Sequence, residues 1–176
     1  MKKINLIFAT FFLLLLVGCN TIPPADFTLE TTPNVDKKDA ELVSITVGYK
    51  AATRKEKRKI ETNALVPPVW KESLQDAINR SLIFSDESKK KISISVQIYE
   101  FDLPFAGAAM TTSCGAKYEI MDRSNGEILF DESIETTGTV PFDYAFAGVV
   151  RATESINRCG RNNIYNLIER LNKINI

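Results

Sequence analysis

Val43, Ile45, Val47 and Tyr49 alternate with Ser44, Thr46 and Gly48, the period-two pattern of a half-buried strand. Further on, Pro67-Pro68 opens a segment in which Trp70, Leu74, Ala77, Ile78, Ser81 and Leu82 share one helical face. Lys71, Glu72, Gln75, Asp76 and Asn79 take the other. Proline in a first helical turn gives up only a donor that has no partner there anyway, so a helix is expected, ending near Phe84 to Asp86. Ile92, Ile94, Val96 and Ile98 then alternate with Ser93, Ser95 and Gln97, after which the apolar phase slips to Tyr99, Phe101 and Leu103. A one-residue slip turns side chains to the opposite face of a sheet unless a bulge absorbs it. A bulge or sharp twist is therefore predicted near Ile98-Tyr99.

A third strand is predicted over 111–122, with Cys114, Ala116, Tyr118 and Ile120 on one face. Asn125-Gly126 is the strongest hairpin dipeptide and leads into a fourth strand over 127–140. Ile128, Phe130 and Ile134 share a face there, with Glu132 the exception, and Gly138 and Pro141 close the strand. A long helix follows from about Tyr144 to Asn172, with Phe146, Val150, Thr153, Ile156, Gly160, Ile164, Leu167, Leu171 and Ile174 at spacings of three and four. Gly160 within it costs about 1 kcal/mol relative to alanine, which close approach to the sheet would explain. The order β-α-β-β-β-α predicts an α+β fold, two helices packed on one face of a mainly antiparallel four-stranded sheet.

Ahead of this domain, Lys2 and Lys3 precede an apolar run from Ile4 to Val17, then Gly18 and Cys19. A basic start, a short apolar core and a small residue before the cut describe a secretory signal. At about 14 residues the run is short of the roughly 20 that a membrane span needs. The ending resembles the bacterial lipobox, in which the cysteine becomes the acylated first residue of the mature chain. The expected organisation is a signal over 1–18, a lipidated N-terminus and flexible tether over 19–38, where Pro23, Pro24 and Pro33 break any periodicity, and one domain over 39–176. Fatty acyl groups such as palmitate on Cys19 would tether the chain to the membrane. By resemblance to Gram-negative lipoproteins, the non-aspartate Asn20 implies outer-membrane sorting with the domain facing the periplasm.

Cleavage of 18 of the 176 residues leaves 158, enough for one domain with a real core. The chain holds 22 basic and 22 acidic residues, and the signal removes two lysines, so no basic excess points to nucleic acid. There is no histidine, which excludes His bases, His-dependent triads and His-ligated metals. No catalytic residue set, metal site or cofactor is indicated. Cys114 and Cys159 lack CxxC spacing. Both point toward the same sheet–helix interface, and export permits disulfides, so a bridge is expected against the alternative of two separate buried thiols.

Arg54, Lys55, Lys57, Arg58 and Lys59, with Glu56 between, form a basic run. It reads either as a solvated loop or as a patch for lipopolysaccharide or peptidoglycan. Phe142, Tyr144 and Phe146 precede the last helix and read either as a docking surface or as a helix entry packed on the domain. An enzyme would have to use Glu132 or Ser113 with Lys117, without histidine. Alternatively Glu132 pairs with Arg151 or Arg158, or reaches solvent.

With its lipobox, the strand Ile92 to Tyr99, the Asn125-Gly126 hairpin, the strand end Thr137-Gly138-Thr139 and one long C-terminal helix, the chain resembles the small lipoproteins grouped around YajG and the ABC-transport auxiliary lipoproteins. The segment Thr139 to Phe146 followed by Arg151-Ala152 is similar to uncharacterised proteobacterial lipoproteins. The resemblance implies a non-enzymatic accessory protein of the envelope, with an envelope protein as partner, and it assigns no catalytic residue.

Overall fold

The computed structural model describes residues 24–51, 64–103 and 108–176. Strand β1 (Glu41–Tyr49), helix α1 (Val66–Ser81), strands β2 (Lys91–Asp102), β3 (Met110–Asp122) and β4 (Ile128–Val140), a short 3-10 turn (Phe142–Tyr144) and helix α2 (Gly148–Asn172) follow in that order. The sheet order is β1-β2-β3-β4. β1 runs parallel to β2, while β2, β3 and β4 are antiparallel neighbours. A parallel pair needs a long crossover, and α1 supplies it. This is the expected α+β order.

The register steps from Ile98–Ala116 to Glu100–Gly115, which leaves Tyr99 unopposed. The phase slip in the sequence is therefore a β-bulge: Ile92, Ile94, Val96 and Ile98 before it and Phe101 after it all reach the same core. Tyr99 lies instead on the outer face over Gly115, where an added Cβ would stand 2.6 Å from its ring. At the β3–β4 turn, Gly126 takes a positive φ of 78°, which glycine adopts without penalty.

Helix α1 has its prolines at the first turn. It ends earlier than the periodicity suggests, because Leu82 turns left-handed (φ 54°). Ile83 and Phe84 then drop into the core, and Phe84 bridges to Lys38. α1 lies over β1, and α2 over β3 and β4. The opposite face of the sheet carries polar side chains such as Gln97, Lys117, Asp131 and Ser133.

Three expectations are corrected. Residues 24–38 are not a free tether: Phe27 and Leu29 are buried, and the segment straps across both helices. The Phe27 ring meets Trp70 edge-on at 5.7 Å, and Arg80 of α1 donates to the Leu29 carbonyl at 2.8 Å. The close approach at Gly160 is to that strap rather than to the sheet, since a Cβ there would lie 2.5 Å from the Phe27 ring. Gly138 of β4 is what lets helix and sheet touch; a Cβ on it would stand 2.1 Å from the Ser155 carbonyl oxygen and 2.4 Å from the Cys159 nitrogen.

The third correction is rotational. The first half of α2 turns Arg151, Ser155 and Cys159 inward, at four-residue spacing, and leaves Val150, Thr153 and Ile156 only half-buried. Polar atoms are tolerated inside because nearly all find a partner; among the described residues Arg151 Nε is a buried side-chain atom without one. Ser155 and Thr112 share a hydrogen bond of 2.8 Å. Deeper in, the Trp70 indole donates to the Tyr118 hydroxyl at 3.0 Å, which donates to Asn163 Oδ1 at 2.8 Å. Asn163 in turn donates to the Ile134 carbonyl at 2.9 Å. This chain ties α1, β3, α2 and β4 together. Cys114 and Cys159 are bonded across the sheet–helix interface, with Cα atoms 6.2 Å apart.

Candidate interaction surface

Pro141 leaves β4 in an extended conformation, and the 3-10 turn Phe142–Tyr144 and extended Ala145 carry the chain to α2. Two arginines of α2 fix this corner. Arg151, only 5 % exposed, donates from Nη1 to the carbonyls of Ala145 (2.6 Å) and Phe146 (3.0 Å). Its guanidinium carbon lies 4.8 Å from the centre of the Phe142 ring. Arg158 donates to the Thr139 carbonyl at 2.9 Å and places its guanidinium 5.3 Å from the Tyr144 ring centre. Both distances fall in the cation–π range. Glu154 accepts from Arg158 at 3.0 Å and from Arg161 at 2.8 Å.

The turn is thus held from beneath, and its rings face outward. Phe142 is 58 % exposed, Tyr144 49 %, Phe146 96 % and the adjoining Val149 46 %. Phe142 and Tyr144 lie against the arginines of α2 on one side and leave an apolar surface on the other. The three side chains form an aromatic knuckle. Arg151 and Arg158 are its organisers, and the apolar stripe of the helix leaves both out; for Arg151 the four-residue phase with Ser155, Cys159 and Asn163 was the available signal.

Close beside the knuckle, the strap begins. The backbone nitrogen of Asp26 donates to Asn157 Oδ1 at 2.9 Å, and Asn157 Nδ2 reaches the Pro24 carbonyl at 3.5 Å. Asn157 is the immediate neighbour of Arg158, so the strap entry and the anchor of the Tyr144 ring share one turn of α2. Between strap and helix lies an open groove of about 350 Å³ lined by Glu30, Thr31, Arg158, Arg161 and Tyr165 among others.

The other candidates fare differently. Cys19 and the basic residues Arg54, Lys55, Lys57, Arg58 and Lys59 lie outside the described residues. Glu132 pairs with Arg170, not with Arg151 or Arg158. Lys117 points to the opposite face of the sheet, where it pairs with Asp131 at 3.0 Å. Ser113 stands four residues from Lys117 along β3, about 13 Å at strand rise. The structure therefore does not assemble a site from Ser113, Lys117 and Glu132. Among the described residues no group of three acidic or cysteine side chains could hold a metal, and no helix is long and apolar enough to cross a membrane.

No protein-family model matches the sequence, and no curated protein matches it. Solved structures do. A protein of Xanthomonas campestris assigned to family model DUF330 is 10 % identical and superposes with a TM-score of 0.54 over 83 % of this chain and 92 % of its own. The hypothetical protein CT253 of Chlamydia trachomatis is 9 % identical, with a TM-score of 0.51 over 79 % of this chain and 98 % of its own. A minor lipoprotein of Acinetobacter baumannii is 14 % identical, with a TM-score of 0.38 over 78 % and 91 %. At such identities the likeness is one of fold alone.

Proposed function

We propose that this chain is a lipid-anchored accessory protein of the bacterial outer membrane, tethered through acyl groups on Cys19, facing the periplasm and acting by binding rather than by turnover. The observation that carries the reading is the knuckle: Arg151 and Arg158 stack on Phe142 and Tyr144 and leave these rings, with that of Phe146, exposed outside the core. An apolar surface fixed in this way on a rigid scaffold is a contact surface. The lipobox supports the anchoring, and the implied relation to the YajG and ABC-transport auxiliary lipoproteins belongs to the same reading. An envelope protein is the partner, met at exposed surfaces that include the edge strands β1 and β4.

Photo-crosslinking residues placed at Val43 on β1, Ile128 on β4 and Tyr144, each exposed, test this in intact cells. A discrete protein adduct from at least one position is expected. Lack of any protein adduct from all three would refute the accessory role.

A further inference from the structure

The strap and the knuckle together say how the anchored domain sits. Residue 24 is docked on Asn157, and only five peptide units separate it from Cys19. Fully extended, they reach about 18 Å. An acylated cysteine lies at headgroup level, so the turn of α2 that carries Asn157 and Arg158 is held within that reach of the bilayer surface. That turn reaches Tyr144 through the stacking of Arg158, and Phe142 is held by Arg151 two turns earlier on the same helix.

We infer that Phe142, Tyr144 and Phe146, with Val149, rest in the membrane interface and hold the anchored domain against the bilayer in one orientation. The inference rests on the anchoring proposed above and names the occupant of the knuckle as lipid. Chemistry agrees with geometry. Aromatic rings are favoured at the headgroup level, and arginine extends an apolar stem while keeping its charge at the polar boundary. Around the corner, Arg158 and Arg161 are paired with Glu154, and Arg161 also faces Glu30, so the contact with lipid is carried by the rings rather than by net charge. A domain on a long free tether would gain nothing from such a surface, whereas one strapped down from residue 24 presents it at every encounter.

The test uses the full, acylated protein carrying Phe146→Trp, reconstituted into vesicles of phosphatidylethanolamine and phosphatidylglycerol. Phe146 is 96 % exposed, so the substitution leaves the core untouched, and Trp70, fully buried, provides the background measured in the unsubstituted protein. The added emission should shift to the blue on reconstitution and lose about half its intensity in vesicles brominated near the headgroup end of the acyl chains, given an interfacial depth of about 5–10 Å. Unshifted, unquenched emission from a chain whose mass shows acylation would overturn the placement and return the knuckle to a protein partner. A mass showing bare sulfur on Cys19 would overturn the anchoring reading itself, and the two failures are thereby distinguished.

Discussion

Tyr118→Phe isolates the polar chain at the centre of the domain. The substitution removes one oxygen and almost no volume, so it opens no cavity worth counting. What it leaves are two buried groups without their partner: the Trp70 indole N–H, which donated to Tyr118 at 3.0 Å, and Asn163 Oδ1, which accepted at 2.8 Å. Trp70 and Asn163 are fully buried, so neither group can turn to solvent. An unpaired buried polar group costs about 1–3 kcal/mol, partly offset by the hydroxyl's own relieved desolvation, and a loss of about 3 kcal/mol is expected. Against a usual total of about 5–15 kcal/mol that is a large fraction. Urea unfolding of the oxidised protein, followed by Trp70 fluorescence, should show the midpoint falling by about 1.5 M with an unchanged slope near 2 kcal/mol/M. A fall of less than about 0.3 M at the same slope would refute the chain as a load on stability. A second readout comes from alkali. Burial pushes the Tyr118 phenol far above its ordinary value. A raised folded-state pKa contributes stability that is whole below the unfolded value of about 10 and is lost as pH climbs beyond it. The variant should lack that component of alkaline unfolding.

Phe27→Ala should cost about 3–5 kcal/mol in calorimetry or urea, whereas a segment hanging free would leave stability unchanged. Removing the disulfide as Cys114→Ala with Cys159→Ala releases a loop with a sequence separation of 45, worth about 4 kcal/mol in the chain-entropy model; an unaltered melting temperature would contradict it. Gly138→Ala drives a methyl group into the backbone of α2 and should cost about 3 kcal/mol, at the upper end of overpacking, with a loss below about 1 kcal/mol counting against the contact. Leu82→Gly, at an exposed left-handed helix end, should raise stability by about 1 kcal/mol, read as a higher urea midpoint.

Much of this fold is legible because local periodicity records which side of an element is buried. Ile92 to Ile98 announce their strand, and the slip at Tyr99 announces the bulge. Cys114 and Cys159 each fall on the buried side of their element, which made the bridge a reasonable expectation. The strap was not legible: Phe27 and Leu29 sit among prolines and threonines, and their partners, Trp70, Arg80 and Gly160, are far off in sequence. Nor was the inward turn of Arg151, Ser155 and Asn163, since a hydrophobicity stripe assumes that buried means apolar, and here carbonyls and hydroxyls make polar burial tolerable. The knuckle was visible as a run of aromatics. Its exposure was not, because it depends on guanidinium groups that reach back from the following helix.

Residues ahead of β1 find their partners at and beyond the end of α2. The backbone nitrogen of Asp36 donates to the Asn172 side chain at 2.8 Å, and Lys38 Nζ donates to the carbonyls of Asn172 (3.1 Å) and Ile174 (2.8 Å). Such a clasp cannot close on a nascent or half-translocated chain, because its second half has not yet arrived. Contacts this distant in sequence also slow folding, so the newly delivered polypeptide passes through an interval in which its beginning stays open until its very end is in place.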